Sequence, residues 1–543
     1  MSDEFDWIVA GAGHNGLTAA CYLARAGERV LALDRAEVAG GGASTREVTL
    51  PGFRHNLHAM RIVQPNFRPV YEELQLHRYG VTLVTSDIAT AHVYADGRAL
   101  VRYCDINRMV AEIGRFSKAD ARTYGDLYRE TMPLRQAAQA ARLAWPAPPP
   151  GPPPIDPARP ITAALQRWYF ASMIEVLREL FVDEHVRVAL RGSLQTVSYP
   201  ADLPLTGLNV VLAMMSPHLA PPALIRGGSA MVARALERLL GEHGGAVRTR
   251  AWVREILVEG GRAVGVRLDS GETVRARRGV IAGFGHKVLL DCLDPDLLPP
   301  DFVEPIRRFR GEEIVLFTVH AAVQGPLHYW AARDNPDVDR SMDVSFGITT
   351  LEDLLSQYHD VRTQRLPRVL AGYSDIPSLW DPSYAPPGCH SVAVGSNVSY
   401  RLDGTPETWD TVAAEYGEQL LEAWRQFTHL ERSAILKTFV YSPLDIVRSN
   451  PSFIEASPLQ GSPLPDQLGI FRPAYGWAEY ATPIAGLYVT GGSAHPMGGL
   501  NGIPGHHCAT RIARDYGLPR WWAPTPGFDA EPASSPTPRV RRR

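Results

Sequence analysis

Three glycines and one acid near the start of the chain are spaced for chemistry on a phosphate-bearing ligand. Gly11, Gly13 and Gly16 stand in a G-x-G-x-x-G spacing, and Asp34 follows 18 residues after Gly16. The first glycine allows a tight turn. The second lets backbone come close to a pyrophosphate, and the third lets a helix and a strand pack together. A helix start presents unpaired N–H groups and a positive dipole end to phosphates. Asp34 stands where a carboxylate accepts hydrogen bonds from a ribose diol, and an acid there disfavours the 2′-phosphate of NADP. Two histidines are candidates for proton chemistry, His58 in PGFRHNLH and His495 in GGSAHPMGG. No Ser–His–Asp or metal-ligand spacing stands out.

The elements that must position these residues are legible around them. Asp6 to Ala10 (DWIVA) is a short apolar run, Leu17 to Ala26 is helical in composition, and Arg29 to Leu33 (RVLAL) is a second strand ending at Asp34. Strand, glycine turn, helix, strand and acid in this order form a dinucleotide-binding unit. A second glycine cluster, Gly40-Gly41-Gly42-Ala43-Ser44-Thr45, offers N–H groups and room for close backbone approach. A third lies far down the chain in LYVTGGSAHPMGGLNGIPG, where a buried strand ends at Gly491-Gly492 and a helix begins near Ile503. Glycine-lined sites at opposite chain ends imply one extended cofactor gripped from both sides, which fits FAD better than NAD.

The chain has 543 residues, enough for two or three folding units. Apolar content of 45% and charged content of 21% are ordinary for a soluble globular protein, and a net charge of −3 provides no basic field for nucleic acid. The five cysteines are scattered, without C-x-x-C, which fits a reducing compartment and offers no metal site. No signal peptide or bilayer-spanning run is visible, so a cytoplasmic location is expected, with peripheral membrane contact left open.

Residues 106–144 look helical. Pro146 to Pro160 should be extended and lie on the surface. Trp168 to Leu219 looks helical again, serving as core or as the wall of an apolar cavity. Between 225 and 285 a helix is followed by strands at Ala246–Arg250, Trp252–Glu259, Ala263–Asp269, Thr273–Arg277 and Arg278–Ala282. Residues 301–470 alternate strands such as Glu313 to Val323 with helices such as Thr408 to Phe427. His506 and His507 open the last helix and read as caps or surface. The expected organisation is an α/β chain with a doubly wound, Rossmann-like dinucleotide domain assembled from residues 1–75, 225–300 and 471–515. A mixed α+β domain with a helical cap takes 76–224 and 301–470, and a disordered tail takes 516–543.

The stretches GAGHNGLTAACYLARAGERVLALDR, GGGASTREVTLPGF, RGGSAMVARAL through VGVRLDSGETVRA, and GLYVTGGSAHPMGGLNGIPG are similar to those of the FAD-dependent phytoene desaturase-like flavoproteins. These belong to the wider amine oxidase and carotene desaturase superfamily. The resemblance implies that Gly11, Gly13, Asn15 and Gly16 surround the pyrophosphate, and that Asp34 and the adjoining Arg35 lie at the adenosine end. Gly40, Gly41, Ser44 and Thr45 then line the ribityl and flavin approach, and Val253 meets adenine through its backbone. Gly492, Leu500, Gly502 and Ile503 run along phosphate, ribityl and isoalloxazine. His58 and His495 are the candidate catalytic side chains, and Tyr475, Trp477 and Tyr480 are either a substrate-side wall or aromatic packing. Many relatives carry Arg where this chain has Gly42, and carotene desaturases often show Asp and Gly where it has Asn56 and His58.

The activity implied is an FAD-dependent dehydrogenation of a largely apolar small molecule, leaving C=C or C=N. An amine oxidase or a non-redox flavin isomerase of the same fold is the alternative. Rab escort and GDP-dissociation-inhibitor proteins resemble the superfamily and bind protein and lipid without FAD. Gly492 and Gly502 beside the first glycines favour the flavin reading.

Overall fold

The structure, a computed structural model, describes residues 5–191 and 200–522. Its strands are β1 (Phe5–Ala10), β2 (Val30–Leu33), β3 (Thr45–Arg46), β4 (His55–Asn56), β5 (Leu83–Thr85), β6 (Ile88–Val93), β7 (Ala99–Tyr103), β8 (Ala223–Ile225) and β9 (Ala246–Arg248). They continue with β10 (Val253–Glu259), β11 (Arg262–Leu268), β12 (Thr273–Ala282), β13 (Val315–Gln324), β14 (Asp343–Phe346), β15 (Gly372–Asp375), β16 (Cys389–Val398), β17 (Ile435–Tyr441) and β18 (Leu487–Val489).

The first sheet runs β10-β11-β12-β1-β2-β9, with β18 on β12. β1 is an unbroken apolar run because it is covered on both faces: Trp7, Ile8, Val9 and Ala10 are all buried. It pairs in parallel with β2 and β12, while β10 and β11 form an antiparallel meander ahead of β12. The alanine-rich helix His14–Arg25 packs between the helices Ala230–Glu242 and Ile503–Tyr516 on one face, and every residue from Asn15 to Ala24 is buried. Ile8, Leu31, Val280 and Phe302 anchor the core on the other face. This is the doubly wound arrangement expected from the motif, drawn from residues 5–33, 246–282 and 487–489.

The second sheet runs β17-β13-β16-β15-β14-β6-β7. Helix Trp409–Arg425 buries Trp409, Leu420 and Trp424 against it. Helices between Ile106 and Leu219 form the cap, with Met173, Leu177, Val210 and Met214 in its core. The segment WYFASMIEVLRELF is therefore two core helices, Ile161–Phe170 and Met173–Leu180. Pro146 to Pro160 is non-helical, held at one point by Ile470 N–H donating to Pro148 O at 3.2 Å.

Several sequence expectations are corrected. Thr273–Arg277 and Arg278–Ala282 are one ten-residue strand, antiparallel to β11 in its first half and parallel to β1 in its second. His506 and His507 are fully buried, because the last helix lies beneath the first. Residues 516–522 are packed, not a loose tail: Trp521 stacks on Tyr22 at 5.2 Å and Trp522 Nε1–H donates to Thr510 Oγ1 at 3.1 Å. Residues 523–543, the rest of the expected tail, lie outside the described residues. Among the described residues no helix is long and apolar enough to cross a membrane, and no group of three His, Cys, Asp or Glu side chains is placed to hold a metal ion.

Candidate active site

A cleft of about 870 Å³ opens along the ends of β1 and β2 and continues under β17 of the second sheet. Three stretches of backbone build its floor. Gly11 has φ of +100°, a conformation that turns the chain from β1 into the helix and that side chains other than glycine rarely adopt. Gly13 caps that helix without a side-chain bond, and although His14 N–H donates to Gly40 O at 3.3 Å, no side chain caps the helix start where it meets the cleft. The side-chain oxygen of Asn15, buried at the same turn, has no hydrogen-bond partner. Gly40 N–H donates to Ala12 O at 2.9 Å and holds the second glycine cluster against the first. Gly491 and Gly492 close the floor after β18, with Gly492 N–H donating to Gln460 Oε1 at 2.9 Å.

At one end Asp34 accepts from Ala12 N–H at 3.0 Å and from Ala36 N–H at 2.8 Å. Burial raises its pKa, against the pull of those two N–H groups. Arg35 lines this end and ties the two sheets' domains, donating to the carbonyls of Arg448 and Ser449. Val253 lines it from the start of β10.

At the other end Ser44, Thr45, Leu57 and His58 face Phe439, Val440 and Tyr441 of β17. Thr45 Oγ1 donates to Asn56 Oδ1 at 2.6 Å and accepts from Ala230 N–H at 3.1 Å, which knits the β3–β4 pair to the helix at Ala230. The half-buried His58 ring stacks on Phe453, centroids 4.6 Å apart. The Tyr441 hydroxyl lies 3.5 Å from His58 Nε2 and 2.6 Å from Ser449 Oγ. Removal of water by the surrounding protein lowers the His58 pKa to about 4, and the Arg46 charge acts in the same direction. His58 is thus a neutral imidazole at physiological pH, a weak base that still presents a nitrogen lone pair.

The structure brings Gly11, Gly13, Asn15, Asp34, Arg35, Gly41, Ser44, Thr45, Val253, Gly492 and His58 onto one cleft wall. Gly16 and Gly40 stand behind it. Leu500, Gly502 and Ile503 also stand back: Gly502 is the cap of the last helix and lies against Thr18 and Val70. His14 reaches across to that loop, its Nε2 3.1 Å from Gly499 O. His495 is buried away from the cleft, with Nε2 2.9 Å from Ala144 O, so a chemical role for it has no geometric support. Tyr475 is exposed, Trp477 packs on Phe302, and Tyr480 is buried against the His495 carbonyl and His507. None of these three is a cleft wall.

Sequence reasoning missed Tyr441, Phe453, Gln460 and Arg472. Arg472 is fully buried and donates to five carbonyls, those of Leu459, Gln460, Ser462, Gln467 and Gly492, so it pins the loop carrying Gly491 and Gly492. None of the four sits in a local motif.

A nucleotide-sized volume, an uncapped helix start, an orphan Asn15 oxygen and an anchored carboxylate at the far end together fit an extended dinucleotide with a ring system at the His58 end. The comparisons agree. A sequence model of flavin-containing amine oxidoreductases matches residues 16–396, more than half of the chain. A limonene dehydrogenase component of Castellaniella defragrans is 26% identical over 550 residues, 96% of each chain. Phytoene desaturase (neurosporene-forming) of Cereibacter sphaeroides is 26% identical over 558 residues, 98% of each chain. An oxidoreductase from Methanosarcina mazei shares the fold with a TM-score of 0.60 at 18% identity, over 94% of this chain and 99% of that one. The chain belongs to the flavin-containing amine oxidoreductase family and is an FAD-dependent oxidoreductase.

Proposed function

We propose that the protein removes two hydrogens from a largely apolar small molecule, leaving C=C or C=N, at the end of the cleft where His58 and Tyr441 stand. The observation that carries this reading is the neutral His58 imidazole, propped on Phe453 opposite the glycine loops. The names of the two curated relatives, a limonene dehydrogenase component and a phytoene desaturase, support dehydrogenation of an apolar carbon skeleton.

When bound, FAD supplies a two-electron acceptor for a hydride from a substrate carbon. The chain's own residues do the rest. Gly11, Gly13 and the first helical N–H groups hold the phosphates, and Asp34 fixes the adenosine end. Leu57 and Phe439 exclude water at the reacting end. His58 accepts the proton that leaves the neighbouring substrate atom, and the Tyr441 hydroxyl, anchored by Ser449, orients the imidazole.

The test is anaerobic incubation of purified protein with candidate apolar substrates, following flavin bleaching and product mass. Bleaching with a product lighter by two hydrogens is the expected result. An unchanged product mass without bleaching means isomerisation and overturns the proposal.

A further inference from the structure

The rim of the cleft at the reacting end carries a guanidinium with no acceptor among the described residues. Arg46 is in β3, paired with His55 of β4, two residues from Ser44 and beside His58 on the cleft wall. Among the described residues its side chain makes no hydrogen bond and no ion pair, although its charge reaches both His58 and Tyr441. Of the other arginines on the cleft wall, Arg234 reaches Met231 Sδ at 3.9 Å, while Arg35 at the adenosine end and Arg448 are committed. Arg35 donates to two carbonyls, and Arg448 pairs with Asp410 at 2.6 Å. The one acid on this part of the wall, Asp445, caps a helix by accepting from Ser442 N–H at 3.0 Å and Ser442 Oγ at 2.7 Å. An exposed cation beside the neutral His58 and Tyr441, with the wall's own carboxylate, Asp445, engaged at a helix cap, offers a fork of N–H donors to an anion of planar geometry.

We propose that the substrate is an apolar molecule bearing a carboxylate, and that Arg46 is the residue that binds the carboxylate at the cleft rim. This rests on the reading of the His58 end as the reacting end and names the substrate class for it. The bidentate guanidinium–carboxylate pair holds one end of the substrate, so that its apolar body lies along Leu57 and Phe439 toward His58.

The experiment is calorimetric titration of the FAD-loaded protein with octanoate and with octan-1-ol, in the natural chain and in Arg46→Gln and Arg46→Lys. Octanoate should bind about tenfold or more tightly than octanol, the worth of one charge-assisted pair. Arg46→Gln should remove that preference with FAD content unchanged, and Arg46→Lys should keep part of it, since the charge remains and the fork is lost. Equal affinities in the natural chain, no octanoate binding, or a preference that survives Arg46→Gln would each overturn the proposal. Heat of binding is read independently of turnover. Preparations that bind octanoate with the expected preference yet never bleach with any substrate would sink the function proposed above and leave the carboxylate site standing.

Discussion

The imidazole of His58 lies flat on the ring of Phe453, planes 20° apart, and Gly42 leaves the room for it: a Cβ on Gly42 would meet Phe453 Cζ at 3.2 Å. The absence of a side chain at Gly42 thus makes room for an aromatic prop beneath the candidate base. Phe453→Leu should slow substrate-driven flavin reduction about tenfold, through loss of His58 placement. Gly42→Leu should do the same by displacing the ring. FAD content should hold in Phe453→Leu, because Phe453 does not line the cleft. Stopped-flow bleaching rates decide this, and an unaltered rate in both variants counts against the stack.

Gly13 offers a way to separate folding from cofactor capture. Its φ of −67° suits any residue, and a Cβ there would touch only Gly41 Cα at 3.9 Å. A longer side chain must project into the cleft. Gly13→Glu should change stability by less than about 1 kcal/mol and weaken FAD binding more than about a hundredfold. A thermal melt and an FAD titration suffice, and retained flavin refutes the pyrophosphate placement.

Burial holds several histidines neutral, and acid should find them. The pKa values of His14, His55, His58 and His92 fall to about 4, and those of His286 and His506 to about 3, in each case chiefly by burial. In the unfolded chain they titrate near the ordinary value of about 6.5. The unfolded state therefore binds more protons between these values. Stability is intact above about pH 6.5 and lost as pH falls toward about 4, each histidine adding up to about 1.4 kcal/mol per pH unit to the slope. Melting temperatures measured from about pH 7 down to about pH 5 should fall steeply. A flat profile would mean that these rings protonate in place.

His495 and His58 should part company on substitution. His495→Ala should cost about 1–3 kcal/mol of stability, through its lost bond to Ala144 O, and leave flavin reduction within about twofold. His58→Ala should slow reduction about a hundredfold or more. The reverse ranking, read by the same bleaching assay, would move the chemistry to the other histidine.

What the sequence made legible follows from which constraints are local. The nucleotide motif is a turn, a helix start and an acid within 34 residues, and each feature is required by backbone geometry at its own position. The reacting end is not local. Tyr441 approaches His58 from 383 residues away, and nothing in Phe453's neighbours announces a ring partner. Gly279 lies inside β12. It is a mid-strand glycine because a Cβ would fall 2.0 Å from Gly486 O, where β18 comes alongside, and not because the chain turns. His506 and His507 looked peripheral since a polar pair at a helix start suits a cap. His506 is buried against Tyr22 and Trp522 and His507 against Trp145 and Tyr480, partners that meet only in the folded chain.

The interleaved first sheet has a consequence for biogenesis. β18 and the Gly491-Gly492 turn after it are made long after β1, yet they complete the floor that β1 began. A nascent chain on the ribosome therefore holds an open half-pocket until translation has passed Gly492.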